Sequence, residues 1–220
     1  MTILALEFSS PQRSVAVLPE PEDARSICLG EAIETGARST RALGLVEEAL
    51  RQAQVEREQI ECVAVGLGPG SYTGIRLAIA LAQGWQLARP VQLLGVSSVE
   101  CLAAQAQAEG IRGRVEIVID AQRNEFYLAG YDVSMELRRE VEPVRLATPA
   151  EVQARQQAGG MIVGPEVNNW LPGSRILFPR AATLGQLARG RADFVPGEKL
   201  QPIYLRETRF VKAPPVRKME

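Results

Sequence analysis

Val63-Ala64-Val65-Gly66-Leu67-Gly68-Pro69-Gly70-Ser71-Tyr72-Thr73-Gly74-Ile75-Arg76-Leu77-Ala78-Ile79-Ala80-Leu81-Ala82-Gln83-Gly84-Trp85-Gln86-Leu87-Ala88 sets the architecture of this chain. A short apolar run from Cys62 to Val65 meets a turn packed with Gly66, Gly68, Pro69 and Gly70, after which Ser71 or Thr73 can cap a long apolar helix. That is a buried strand feeding a helix. Ile75, Ile79 and Ala82 share one side of the helix and Leu77, Leu81, Trp85 and Ala88 another, leaving a thin stripe of Arg76, Gln83 and Gln86. Such a helix needs cover on two sides. Its own sheet supplies one. Ala78, Ala80, Ala82 and Gly84 let a second helix approach closely, and in a chain of 220 residues that cover can come from another polypeptide.

The length allows one large domain or two lobes of roughly 100 residues, each able to bury a core. The 25 basic and 26 acidic residues nearly cancel, and no basic run exceeds a pair before the C-terminal tail. There is no strong phosphate-neutralising footprint, so contact with nucleic acid is expected to be indirect. Cys28, Cys62 and Cys101 are odd in number, far apart and set among aliphatic residues, which reads as reduced thiols in a core and a cytoplasmic protein. No targeting segment and no membrane span are expected. Histidine is absent altogether. Its loss removes the commonest general base and the commonest nitrogen ligand, excluding His-triad hydrolases, zincins and imidazole-ligated metal enzymes.

Thr2 to Leu6 is an apolar run ending at Glu7, followed by a polar turn and a second strand at Ser14 to Leu18, which together predict a hairpin. Ser26 to Ala32 is a third strand candidate. Arg38 to Gln54 carries Leu43, Val46, Ala49, Leu50 and Ala53 at helical spacing, an amphipathic helix. The Gly-rich stretch comes next, then a strand at Val91 to Val96 and a Ser-capped helix from Val99 to about Ala108. The second half repeats the plan: a strand from Val115 to Ile119 ending at Asp120, the turn Ala121-Gln122-Arg123-Asn124, a return strand from Glu125 to Tyr131, and a strand at Arg138 to Arg145. A helix at Pro149 to Gln157 and a strand at Met161 to Val163 stopping at Gly164-Pro165 complete the correspondence. A period of about 100 residues is too long for a solenoid and fits a duplicated lobe. The expected division is therefore 1–109, 110–211 and a frayed tail at 212–220, with a short helix at Ala182 to Arg189 and a last strand at Ile203 to Leu205.

Gly66 to Gly74 has no Lys-Ser/Thr pair after its last glycine, so it is not a P-loop. It also fails the dinucleotide fingerprint: Ser71 takes the third glycine's place and Pro69 removes a backbone donor. A tight turn bringing helix to strand and a nucleotide or partner loop both stay open. Glu7 and Asp120, each ending the first strand of its half, are either a carboxylate pair facing a Mg-nucleotide across a cleft or acceptors of turn amides. Neither hairpin loop has a glycine to let backbone approach a phosphate, so a nucleotide site built on Glu7, Ser9, Ser10 and Asp120 would be degenerate. Trp85 and Trp170 read as core or interface anchors before stacking platforms.

Ile3-Leu4-Ala5-Leu6-Glu7-Phe8-Ser9-Ser10, Gly66 through Arg76, Gly95-Val96-Ser97-Ser98 and Asp120-Ala121-Gln122-Arg123-Asn124-Glu125-Phe126-Tyr127 together resemble the TsaB (YeaZ) family, in order over nearly the whole chain. The resemblance implies an α/β, two-lobed actin-like (ASKHA) fold, each lobe a ribonuclease H-like mixed sheet with helices. It implies a non-catalytic subunit that pairs with TsaD, joined by the ATPase TsaE, for transfer of threonylcarbamoyl to N6 of the adenosine beside the tRNA anticodon. No cofactor of its own is implied, with ATP or ADP a candidate at the interface with its partners. The family's pairing surface corresponds to the helices at Arg38 to Gln54 and Thr73 to Ala88, which nominates Leu43, Val46, Leu50, Arg76, Leu77, Ala80, Leu81 and Gly84, and a homodimer through the same seam when TsaD is absent. Two departures stand out: Glu7 replaces the family's usual Asp, and Ser39-Thr40 its usual His-Ser. The alternative is an independent actin-like kinase using Glu7 and Asp120 for Mg²⁺, which the glycine-poor hairpins disfavour. A peptidase role finds no nucleophile with a base.

Overall fold

The computed structural model describes residues 1–20, 30–36 and 41–205. The readings of Ser26–Leu29, Cys28, Arg38–Thr40 and the tail beyond 205 lie outside them. The first half forms a sheet from β1 (Ile3–Glu7), β2 (Gln12–Leu18), β3 (Gly30–Thr35), β4 (Cys62–Gly66) and β5 (Gln92–Val96), in the order β3-β2-β1-β4-β5. β1 pairs antiparallel with β2 and parallel with β4, Ile3 opposite Leu18 and Cys62 respectively. The second half builds β6 (Gly113–Asp120), β7 (Phe126–Val133), β8 (Arg138–Ala147), β9 (Met161–Gly164) and β10 (Arg175–Ile176), in the order β10-β9-β6-β7-β8. Read from the third strand of each half, the two orders are the same. Two mixed sheets repeating one topology, each clothed by helices, are the lobes of an actin-like, ribonuclease H-type fold.

Burial on both faces explains the unbroken apolar runs of β1 and β4. Along β1 the side chains alternate: Leu4 and Leu6 face α1 (Ala42–Ala53) and α2 (Tyr72–Ala88), while Ile3 and Ala5 face α5 (Ala181–Ala188). In the second sheet Val115, Ile117 and Ile119 face α3 (Ser98–Ala108), and Val118 and Leu128 face α4 (Pro149–Gln157) through Val152. Thus α3 and α5 form the layer between the sheets, joined by Thr183 Oγ1 donating to Gln105 Oε1 at 2.5 Å. Helix starts follow local chemistry: Ser71, Ser97 and Thr148 each accept an amide of the first turn of α2, α3 and α4.

Three expectations change. The second-half helix α5 packs on the first sheet, where a Cβ on Gly185 would meet Leu18 Cδ1 at 2.2 Å, so a cut at 109/110 separates the sheets but not the layers. Ile203 to Leu205 is no strand; Ile203 N–H reaches only Leu67 O, at 2.9 Å, without a ladder. The counterpart of α2 in the second half shrinks to a single 3-10 turn, Val167–Asn169. Duplication is complete in the sheets and partial in the helices.

Candidate functional site: an occupied hairpin, a shallow cleft and an open helix face

Glu7 ends β1 and is completely buried. Its Oε1 accepts the Ser9 N–H at 2.8 Å and its Oε2 the Ser98 hydroxyl at 2.9 Å, while Ser98 Oγ accepts the Gly68 N–H at 3.2 Å. Burial raises the carboxyl pKa above its ordinary value, and the hydrogen bonds from Ser9 and Ser98 offset part of that rise. Asp120 repeats the turn contact in the second lobe, accepting the Gln122 N–H at 2.7 Å. Both carboxylates therefore hold the amide two residues on, as turn acceptors do.

The glycines of the loop make room for this arrangement. A Cβ on Gly66 would stand 2.1 Å from Glu7 Oε2, one on Gly70 2.2 Å from Ser9 O, and one on Gly74 2.0 Å from Phe8 O. Gly70 also holds φ +150, and Ser71 N–H donates to Ser9 O at 2.7 Å. The loop is packed against the hairpin's own backbone. Sequence spacing could show that glycines were needed there; the contact partner, Glu7, lies 59 residues away and left no local mark.

Between the lobes lies a cleft of about 780 Å³ lined by Ser9, Ser10, Gly70, Ser71 and Tyr72 on one side and Asp120, Gln122 and Arg123 on the other. Of the four residues expected to hold a nucleotide, Ser9, Ser10 and Asp120 border it and Glu7 does not, because Gly66, the Ser9 amide and Ser98 enclose its carboxyl. Glu7 is corrected from ligand to buried brace. Ser10 Oγ is itself engaged with Gln12 O at 2.7 Å. Among the described residues no group of three or more His, Cys, Asp or Glu side chains is placed to hold a metal.

The outer face of α2 is built differently. Gly74, Ile75, Ala78, Ile79 and Ala82 face the sheet, and Leu77, Leu81 and Trp85 are half-buried on the shoulders. Thr73, Ala80, Gly84 and Leu87 look outward, Leu87 90% exposed, and a Cβ on Gly84 would meet nothing within 4 Å. With Leu77 they recur at alternating steps of four and three residues, the spacing of a helix-pairing seam. Gln83 and Gln86, read from the sequence as a wet stripe, are instead covered. Gln83 Nε2 donates to Gly197 O at 2.7 Å and Gln86 Oε1 accepts Gly197 N–H at 2.9 Å, so a strap from Val195 to Leu200 shields that flank.

On α1 the expectation splits. Leu43 is 64% exposed, but Val46 and Leu50 are 3% and 6% exposed and packed into their own lobe's core, which removes them from the candidate partner surface. All three share one side of α1 by helical spacing; the core covers Val46 and Leu50 and leaves Leu43, in the first turn at the edge of that buried arc, in solvent. Arg76 is exposed at the edge of the α2 seam, and Leu77, Ala80, Leu81 and Gly84 lie on or beside it.

The family model described as "TsaD: tRNA N6-adenosine threonylcarbamoyltransferase" matches residues 35–195. A tRNA threonylcarbamoyladenosine biosynthesis protein TsaB from Haemophilus influenzae is 27% identical over 97% of this chain and 98% of its own length. A crystal structure described as an uncharacterized protein with similarity to peptidase YEAZ, from Pseudomonas aeruginosa, superposes with a TM-score of 0.77 at 30% identity, covering 93% of this chain and 99% of that one. A second, YeaZ from Pseudomonas aeruginosa, gives 0.74 at 28% over the same shares. With the duplicated sheets, the braced hairpin and the matching length, the chain belongs to the TsaB (YeaZ) family and carries a TsaD-type domain.

Proposed function

We propose that this protein is a non-catalytic subunit of threonylcarbamoyladenosine formation on tRNA, pairing through the outer face of α2 with a TsaD-type transferase. The observation that carries the reading is the open seam. A 17-residue helix leaves Ala80, Gly84 and Leu87 in solvent while its polar Gln83 and Gln86 are spent on its own strap, the reverse of a helix meant to face water. Two relatives' names place that protein type in threonylcarbamoyladenosine biosynthesis. The buried Glu7 and the absence of histidine from the sequence argue against chemistry of its own.

In this reading TsaD performs the transfer, TsaE joins the pair, tRNA is met chiefly through the partners, and two copies of this chain close the same seam when TsaD is missing. Any ATP or ADP sits at the junction with the partners, and the complex works in the cytoplasm. The test is reconstitution: TsaD, TsaE and a threonylcarbamoyl-adenylate synthase with unmodified tRNA, with and without this protein. Modification should depend on its presence; full activity in its absence would overturn the proposal.

A further inference from the structure

Arg76 stands at the seam's edge in a prepared position. Its guanidinium carbon lies 5.0 Å from the centre of the Tyr72 ring, and its Nη1 donates to the Tyr72 hydroxyl at 2.6 Å. Tyr72 in turn lies against Tyr204, with ring centres 5.6 Å apart. The two tyrosines hold the cation in one place while leaving most of its five N–H donors pointing away. Among the described residues no carboxylate comes within ion-pair distance of it. The seam helix itself contains no Asp or Glu.

The acids on neighbouring α1 are already engaged. Glu48 binds Arg51 at 2.6 Å and Gln52 at 2.8 Å, and Glu47 binds Arg57 at 3.0 Å. A second copy of this chain laid on the seam therefore brings another α2 bearing a cation and no anion, next to acids with cations of their own. An unpaired guanidinium desolvated in an apolar joint is costly, whereas one meeting a carboxylate gains a two-pronged, charge-assisted contact.

We propose that Arg76 makes the seam selective for a different subunit presenting a carboxylate opposite it, over a second copy of this chain. The inference rests on the pairing reading above and adds the chemistry by which the partner is chosen. Small apolar residues along the seam give both assemblies their contact; the charge at its edge ranks them.

The test compares two affinities in the full-length chain: binding to TsaD from the same organism, by calorimetry, and self-association, by sedimentation. Arg76→Glu should weaken binding to TsaD by about tenfold or more while leaving self-association as tight as before or tighter. Arg76→Lys, which keeps the charge and loses the fork, should fall between. Raising salt from about 50 mM to 500 mM should weaken wild-type binding to TsaD and spare the homodimer. Equal loss in both assemblies, or loss in neither, would overturn the selectivity. Failure of the wild-type chain to bind TsaD at all would instead overturn the pairing reading, so the two failures are distinguishable.

Discussion

Replacing Gly66 by alanine places a methyl carbon 2.1 Å from Glu7 Oε2 and 2.7 Å from Glu7 Cδ, far inside contact distance. Gly66 is buried in β4 beside a fully buried Glu7, so the carboxyl must swing aside. Doing so breaks the bonds from Ser9 N–H and Ser98 Oγ–H, at 2.8 and 2.9 Å, in a place water does not reach. Leaving a buried polar group without its partner costs about 1–3 kcal/mol, so two such losses make roughly 2–6 kcal/mol. Set against a stability on the order of 5–15 kcal/mol, this is a large fraction. The melting temperature should fall by roughly 4–24 °C, at about 2–4 °C per kcal/mol for a chain of this size.

The measurement is a double-mutant cycle by thermal or urea unfolding. Glu7→Ala carries its own cost, but with the carboxyl gone Gly66→Ala should become nearly free, giving a coupling close to the whole penalty, about 2–6 kcal/mol. A Gly66→Ala penalty that is the same with and without the Glu7 carboxyl would refute the idea that this glycine exists to admit it.

Burial raises the Glu7 pKa, so in the range between its ordinary and its raised value the folded chain keeps a proton that the unfolded chain releases. The group's contribution is complete below the ordinary value and is lost as pH rises through the folded one; Glu7→Gln, which cannot ionise, should therefore gain on wild type in urea midpoints as pH rises above the ordinary carboxylate range. A relative loss above that range would contradict the sign. Leu200, the strap's own buried anchor at 3% exposure, should cost about 2–4 kcal/mol when cut to alanine, and no measurable change would mean the strap does not seal α2. Burial pushes the Cys62 thiol up to about 11 and that of Cys101 well above its ordinary value, so native alkylation should label at most one of the three cysteines and denatured alkylation all three. Rapid native labelling of two would refute that packing.

The duplicated sheets were legible because strands buried on both faces leave unbroken apolar runs, and each half ends its first run in a carboxylate followed by a polar turn. What local pattern could not show were contacts across the chain. Gln83 and Gln86 look wet until the strap around Gly197 covers them, more than 100 residues later. Val46 and Leu50 look as available as Leu43, with which they share a side of α1, until the core covers them and leaves Leu43 at the edge. Glu7 looks like a ligand until Ser98, from a different element, closes over it. Ile203 to Leu205 has strand composition but, among the described residues, no ladder beyond the one bond to Leu67. In each case the sequence displays a side chain's chemistry and the fold decides what meets it.

The central claim is that the outer face of α2 is a joint for a partner, and Gly84 offers its cleanest test. A Cβ there meets nothing within 4 Å, so Gly84→Arg fits the isolated chain and, by removing a helical glycine, should stabilise it by roughly 0.5–1 kcal/mol. Co-elution with TsaD on a sizing column, measured beside a melting curve of the variant alone, should show an unimpaired fold and no complex. A variant that folds and still co-elutes with TsaD as the wild-type chain does would contradict the account.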